Sequence, residues 1–142
     1  MNIDAPIDDV FALFSDIDQA PENVSGIVSI ERLTDGEVAK GTRFRETRLF
    51  MGRRETEELL FIEFNVPHSY TVTAERAGMT FLTRLDFSSL QTEQTQVRLS
   101  LQTKSRTLAP KLGSPLSKMM LPILKKVFLK DLADLKQVLE KS

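Results

Sequence analysis

From Leu116 onward, apolar residues recur at Leu116, Met119, Met120, Ile123, Leu124, Val127, Phe128, Leu132, Leu135, Val138 and Leu139. That spacing of three and four is the rhythm of a helix with one buried stripe. The intervening positions hold Lys118, Lys125, Lys126, Lys130, Lys136 and Lys141. A helix of about 26 residues is roughly 39 Å long at 1.5 Å per residue. Being apolar on one side only, it must lie across an extended apolar surface, and the rest of the chain predicts a sheet.

Before that helix the period changes from three or four to two. Segments 28–33, 42–50, 54–65, 69–77, 79–90 and 95–104 read as strands. The last has the cleanest alternation, Val97, Leu99 and Leu101 against Arg98, Ser100 and Gln102. Asp35-Gly36, Met51-Gly52, Pro67-His68, Gly78 and 91–94 punctuate them as turns. A short turn at Met51-Gly52 sets Arg48 near Glu55 or Glu57 and Arg45 near Glu58, a favourable cross-strand pattern. At the N-terminus, Asp4-Ala-Pro6 marks a helix start, and Ile7, Val10, Phe11 and Phe14 form its stripe. A second short helix is expected before residue 24, and 108–115 read as a Pro/Gly/Ser loop. Short helices, an antiparallel meander and a long closing helix predict an α+β layered fold. Pro122 falls inside the helical pattern, where a kink is expected to shape the space beneath.

Composition narrows the chemistry. The chain of 142 residues is expected to form a single domain, 1–142. With no cysteine and one histidine, neither thiolate chemistry nor a multi-histidine metal site is expected. A net charge of −1 provides no field for nucleic acid, and the arginines between 43 and 54 are interleaved with Glu46. No apolar run approaches the roughly 18 residues of a bilayer span, and the first residues lack a signal-peptide pattern. The expectation is a soluble cytoplasmic protein without integral membrane association. Lys125, Lys126 and Lys130 suit the solvated back of a core helix, or a helix lying on a membrane surface.

Three stretches together resemble the START-like superfamily, also called SRPBCC or polyketide cyclase/dehydrase-like, with its helix-grip fold. Ile7–Asp16 is similar to the family's opening pattern P-x-x-V-F-x-x-hydrophobic-x-D. Gly41-Thr-Arg-Phe-Arg-Glu-Thr-Arg48, Gly52 and Pro67-His-Ser-Tyr70 resemble its central pattern, and Asp131-Leu-Ala-Asp-Leu-Lys136 its closing L-x-x-L-K. The resemblance implies a curved antiparallel sheet of about six or seven strands gripping the long C-terminal helix, with two short N-terminal helices and a cavity between helix and sheet. The family has a full first strand where this chain has only Met1–Asp4. A short first strand leaves a sheet edge that can recruit a second copy, so a homodimer is one expectation.

The expected cavity lining follows from strand parity. Phe44, Glu46, Arg48 and Phe50 share one face; Glu57, Leu59, Phe61, Tyr70, Val72, Phe81, Thr83 and Leu85 continue it, and Met119, Met120, Ile123 and Val127 descend from the helix. Such aromatic and methionine-rich surfaces suit a small hydrophobic ligand, although each residue alone is equally a core residue. Leu60, Ile62 and Phe64 form a rival apolar face on the same strand, inward only if a bulge changes the parity. Glu46 and Arg48 are the sharpest polar candidates. Inside a cavity they suit acid–base chemistry and the holding of a carboxylate or enolate oxygen; at the rim they are solvated cross-strand partners. His68, in a turn, reads as solvated.

The leading reading is therefore a module binding a hydrophobic or amphipathic molecule (a lipid, an aromatic or a polyketide-like compound), with no cofactor. A polyketide cyclase/dehydratase-like enzyme and a co-chaperone-like interaction domain are the alternatives.

Overall fold

The computed structural model describes residues 1–76, 78–105 and 110–141, with backbone alone for Arg76, Ser105 and residues 110–120. The first strand, β1 (Asn2–Ile3), is very short and leads into α1 (Ile7–Ser15). Pro6 precedes α1 with extended backbone, and Asp8 and Asp9 occupy the first turn, where carboxylates meet the positive end of the helix dipole. A 3₁₀ turn (Ile17–Gln19) and α2 (Ala20–Asn23) follow. Next come β2 (Ile27–Arg32), β3 (Arg43–Phe50), β4 (Arg53–Asn65), β5 (Ser69–Arg76), β6 (Met79–Gln91) and β7 (Gln94–Ser105), then α3 (Pro110–Lys141).

All seven strands form one antiparallel sheet in the order β1-β7-β6-β5-β4-β3-β2. Sequential neighbours pair directly except where the chain start returns to β7. The β3–β4 turn holds Met51 at φ 52° and Gly52 at φ 80°. Two positive φ values in a two-residue loop match the right-handed twist of the flanking strands, and glycine takes one of them without steric cost. The resulting register pairs Arg48 with Glu55 and Arg45 with Glu58, as the cross-strand charges predict.

The rival faces of β4 are resolved by a bulge. Phe61 pairs with Val72, but Glu63 pairs with Thr71 and Phe64 with Tyr70. The extra residue at Ile62 reverses the parity, so Phe61 and Phe64 both turn inward and Ile62 stays exposed. The expected outward Leu60–Ile62–Phe64 patch therefore does not form.

Phe11 of α1 meets Phe64, Tyr70 and Phe87 with ring centroids 5.2–5.8 Å apart, each in an edge-to-face arrangement. Phe61 joins this cluster through Phe44, Phe64 and Tyr70. Thr95, fully buried, donates from Oγ1 to the Ala5 carbonyl at 2.8 Å, so the polar atom in this floor is satisfied.

Helix α3 begins at Pro110, earlier than the expected Leu116, so 110–115 are helical rather than loop. Proline suits the first helical position, where the amide has no partner to lose. Gly113, Ser114 and Pro115 read as breakers, yet the helix continues through them and is unbroken at Pro122, whose ring is exposed. Residues 108 and 109 lie outside the described residues. Toward its end α3 buries Leu132 and Leu135. The Asp134 carboxylate accepts from the Ser25 amide at 3.0 Å and hydroxyl at 2.9 Å, and Glu140 accepts from the Asp4 amide at 2.9 Å. Among the described residues no helix is long and apolar enough to cross a membrane.

Phe11 is 2% exposed and touches three rings, so Phe11→Ala removes both apolar area and aromatic packing. The expected loss is about 3–5 kcal/mol of unfolding free energy, read from urea denaturation.

Candidate functional site

Between the inner face of the sheet and α3 lies a cavity of about 190 Å³. A single water needs roughly 10–15 Å³ by a comparable measure, so the space admits an organic molecule. Of the residues expected from strand parity, Phe44, Glu46, Arg48, Leu59 and Phe61 line it from β3 and β4. Tyr70 and Val72 line it from β5, and Phe81, Thr83 and Leu85 from β6. Strand alternation places these ten on one surface, whereas Phe50, expected on the same face, is not among the residues that line it.

The helix contributes a different set. Leu121, Leu124, Phe128, Asp131, Leu132 and Leu135 face the cavity. Ile123 is 38% exposed, and neither it nor Val127 is among the lining residues. The apolar stripe is broad, with neighbouring pairs at 123/124 and 127/128. The line 121–124–128–131–135 is its inward centre, which leaves Ile123 and Val127 at its margin. The side chains of Met119 and Met120 lie outside the described residues. Leu132 and Leu135 also border the space.

Asp131 is the charged cavity-lining residue that a strand-based reading passes over. Arg48 donates from Nη1 to its Oδ1 at 3.2 Å and from Nη2 to its Oδ2 at 2.8 Å, a two-pronged contact from β3 to α3. Nη2 also reaches Glu46 Oε1 at 3.4 Å, and the guanidinium lies over the Phe128 ring, 5.7 Å from its centroid. Arg48, Asp131 and Glu46 side chains are only 11%, 14% and 17% exposed. The trio is thus neither a solvated rim nor a free arginine awaiting an anion. The available signal is a carboxylate in step with the apolar stripe, seven residues after Leu124.

Burial dominates the electrostatics. It lifts Glu46 above the ordinary glutamate range, against the opposing pull of Arg48 and with Asp131 adding to the lift. Burial likewise lifts Asp131, with the Arg48 bond opposing. For Arg48 burial acts downward, but the Asp131 and Glu46 partners more than offset it and hold the guanidinium charged. Burial raises Tyr70 far above an ordinary phenol, and its hydroxyl donates to the Phe14 carbonyl at 3.2 Å. His68 is exposed and stands apart from the cavity. Among the described residues no cluster of three or more histidine or carboxylate side chains is arranged to hold a metal ion.

A seven-stranded antiparallel sheet with a long closing helix has known counterparts. Residues 1–140 match the family described as polyketide cyclase / dehydrase and lipid transport. The chain belongs to this family. Three solved structures share its helix-grip fold. The Zhui aromatase/cyclase from Streptomyces sp. R1128 superposes with a TM-score of 0.81 at 15% identity, covering 99% of this chain and 90% of that one. A START superfamily protein from Mycobacterium smegmatis gives 0.74 at 14% identity, covering 99% and 94%. The protein TTHA0849 from Thermus thermophilus gives 0.70 at 21% identity, covering 96% and 91%. Among curated proteins, no sequence matches the chain.

Two measurements test this polar trio. Asp131→Ala leaves Arg48 without its main partner and is expected to lower stability by up to about 3–5 kcal/mol, whereas Arg48→Met combined with Asp131→Leu recovers most of the loss in urea denaturation. Glu46, with its folded pKa raised, contributes stability that is present below the ordinary glutamate range and lost as pH rises through the raised value. The stability of Glu46→Gln relative to the unsubstituted chain is therefore expected to increase as pH rises above the ordinary glutamate range.

Proposed function

We propose that this chain holds a small, largely apolar molecule between its sheet and α3. The observation that carries this reading is the cavity of about 190 Å³, walled by aromatic and aliphatic side chains with one concentrated polar patch at Glu46, Arg48 and Asp131. Binding sites for small molecules combine those features: apolar area supplies affinity and a few fixed polar groups supply orientation. Membership of a family described by polyketide cyclisation, dehydration and lipid transport supports an aromatic, polyketide-like or lipid ligand.

One observation favours a second reading, chemistry on the bound molecule. Glu46 lines the cavity with its carboxyl lifted by burial above the ordinary glutamate range, which suits a group that gives or takes a proton. In that reading Glu46 is the proton carrier, and Arg48, fixed by Asp131, helps to hold its carboxyl in place. Loss of turnover in Glu46→Gln with ligand affinity retained would support it; unchanged turnover would remove it.

The binding reading is tested by filling the space. Leu124→Trp extends a lining side chain into the cavity. Native mass spectrometry of the chain isolated from cells is expected to show a bound organic molecule, and the same measurement on Leu124→Trp is expected to show none. A chain that carries no ligand from cells and binds none from a panel of aromatic and aliphatic compounds would defeat the proposal.

A further inference from the structure

We infer that the outer face of α3, from Pro122 to Lys130, docks reversibly on an anionic phospholipid bilayer. The inference goes beyond the small-molecule reading and concerns the outside of the molecule, so it does not depend on what the cavity holds. From Gln94 to Lys130 the chain has eight lysines and arginines and no acidic residue, although its net charge is only −1. Positive charge is thus gathered along β7 and the earlier part of α3, and the balancing carboxylates lie elsewhere. The side chains of 110–120 cannot reverse this, since none of those residues is acidic. Helical spacing turns Pro122, Ile123, Lys126, Leu129 and Lys130 away from the inward line 121–124–128, and all five are exposed. Leu129 is 41% exposed, an aliphatic side chain set between lysines. Lys125 stands beside this face, where it borders a second hollow together with Leu129 and with Arg98 of β7. Lys130 also bonds the Asp134 carboxylate. Among the described residues, Arg98, Lys125 and Lys126 enter no ion pair.

Cations interleaved with exposed apolar side chains fit a bilayer better than another polyanion. Lysine stems lie along apolar neighbours while their ammonium groups reach lipid phosphates, and Ile123 and Leu129 enter the boundary between headgroups and acyl chains. A nucleic acid backbone attracts the cations alone and leaves the apolar side chains without a counterpart. Each lysine or arginine near an anionic surface strengthens partitioning about fivefold at low salt, so a handful of them gives attachment that is weak, reversible and dependent on anionic lipid. The same stretch of α3 presents Leu121, Leu124 and Phe128 to the cavity on its other side. Docking there sets the cavity wall beside a store of apolar molecules.

The experiment is flotation of the full chain with unilamellar vesicles, of phosphatidylcholine alone or with about one-third phosphatidylserine, at low ionic strength. Binding to the anionic vesicles is expected to be at least about tenfold stronger, and to fall toward the neutral level in about 0.5 M salt. Lys125→Gln and Lys126→Gln are each expected to weaken it about fivefold. Leu129→Ser and Ile123→Ser, which leave every charge in place, are each expected to weaken it about threefold or more. Lys40→Gln, which removes an exposed cation between β2 and β3, is the control and is expected to change binding by about twofold at most. Absence of binding to anionic vesicles, or equal binding to both kinds, overturns the inference. So do equal losses in Lys40→Gln and the two α3 lysine variants, or losses in the lysine variants with none in Leu129→Ser and Ile123→Ser. Binding of polyuridylate without binding of either vesicle assigns the patch to nucleic acid and overturns it as well. Every one of these outcomes leaves the small-molecule reading standing.

Discussion

The contact between Arg48 and Asp131 is the constraint around which the molecule is arranged. It joins β3 to α3 at 2.8 Å, across a largely apolar gap. Apolar packing alone has no directional preference, and a one-sided helix lying on leucines and phenylalanines can slide or roll with little penalty. A two-pronged guanidinium–carboxylate contact has a defined distance and plane, so it sets the height and rotation of α3 over the sheet. Gly26 shows how closely the surroundings are fitted to it. A Cβ at that position would lie 3.2 Å from Arg48 Nη1 and 3.9 Å from Asp131 Oδ1, so the absence of a side chain leaves room for the pair. Ser25, next to it, fastens the following turn of the helix through Asp134.

Held this way, the space under α3 divides into two kinds of interior. Toward α1 it is filled by rings, with Phe11, Phe14, Phe61, Phe64, Tyr70 and Phe87 interlocked at centroid distances of 5.2–6.4 Å. The hollow itself is walled largely by aliphatic side chains, among them Leu59, Val72, Leu121 and Leu124. The aromatic floor provides the rigidity that an empty space cannot. A hollow lined by side chains forgoes dispersion contacts, and the neighbouring packing must offset that loss.

How much of this is legible in the sequence depends on whether a residue's environment is set by near or distant neighbours. Strand limits and the β3–β4 register are readable because alternation and turn chemistry act within a few residues; Met51-Gly52 and the facing charges of Arg45 and Glu58 suffice. The bulge at Ile62 is readable only as an ambiguity. Two apolar faces on one strand signal a parity change, and only the pairing of Phe64 with Tyr70 shows where it falls. The helix face expected from periodicity is wrong by a fraction of a turn, since a wide stripe does not reveal its own centre and the partner surface decides it. Asp131 is the hardest case. As a charge it looks like one more solvent-facing group in a lysine-rich helix, and its meaning comes from an arginine 83 residues earlier in the chain. The family likeness, carried by whole-length pattern, survives all of these local errors and agrees with the match over residues 1–140.

Tyr70 has a practical consequence. The chain contains one tyrosine and no tryptophan. Its ring borders the cavity on one side and the aromatic floor on the other, and its hydroxyl is tied to the Phe14 carbonyl. The tyrosine emission of the protein thus originates from a single fluorophore in the wall of the hollow. Any molecule entering that space changes the polarity and quenching around this ring, so the protein carries its own label-free optical gauge of whether the cavity is occupied.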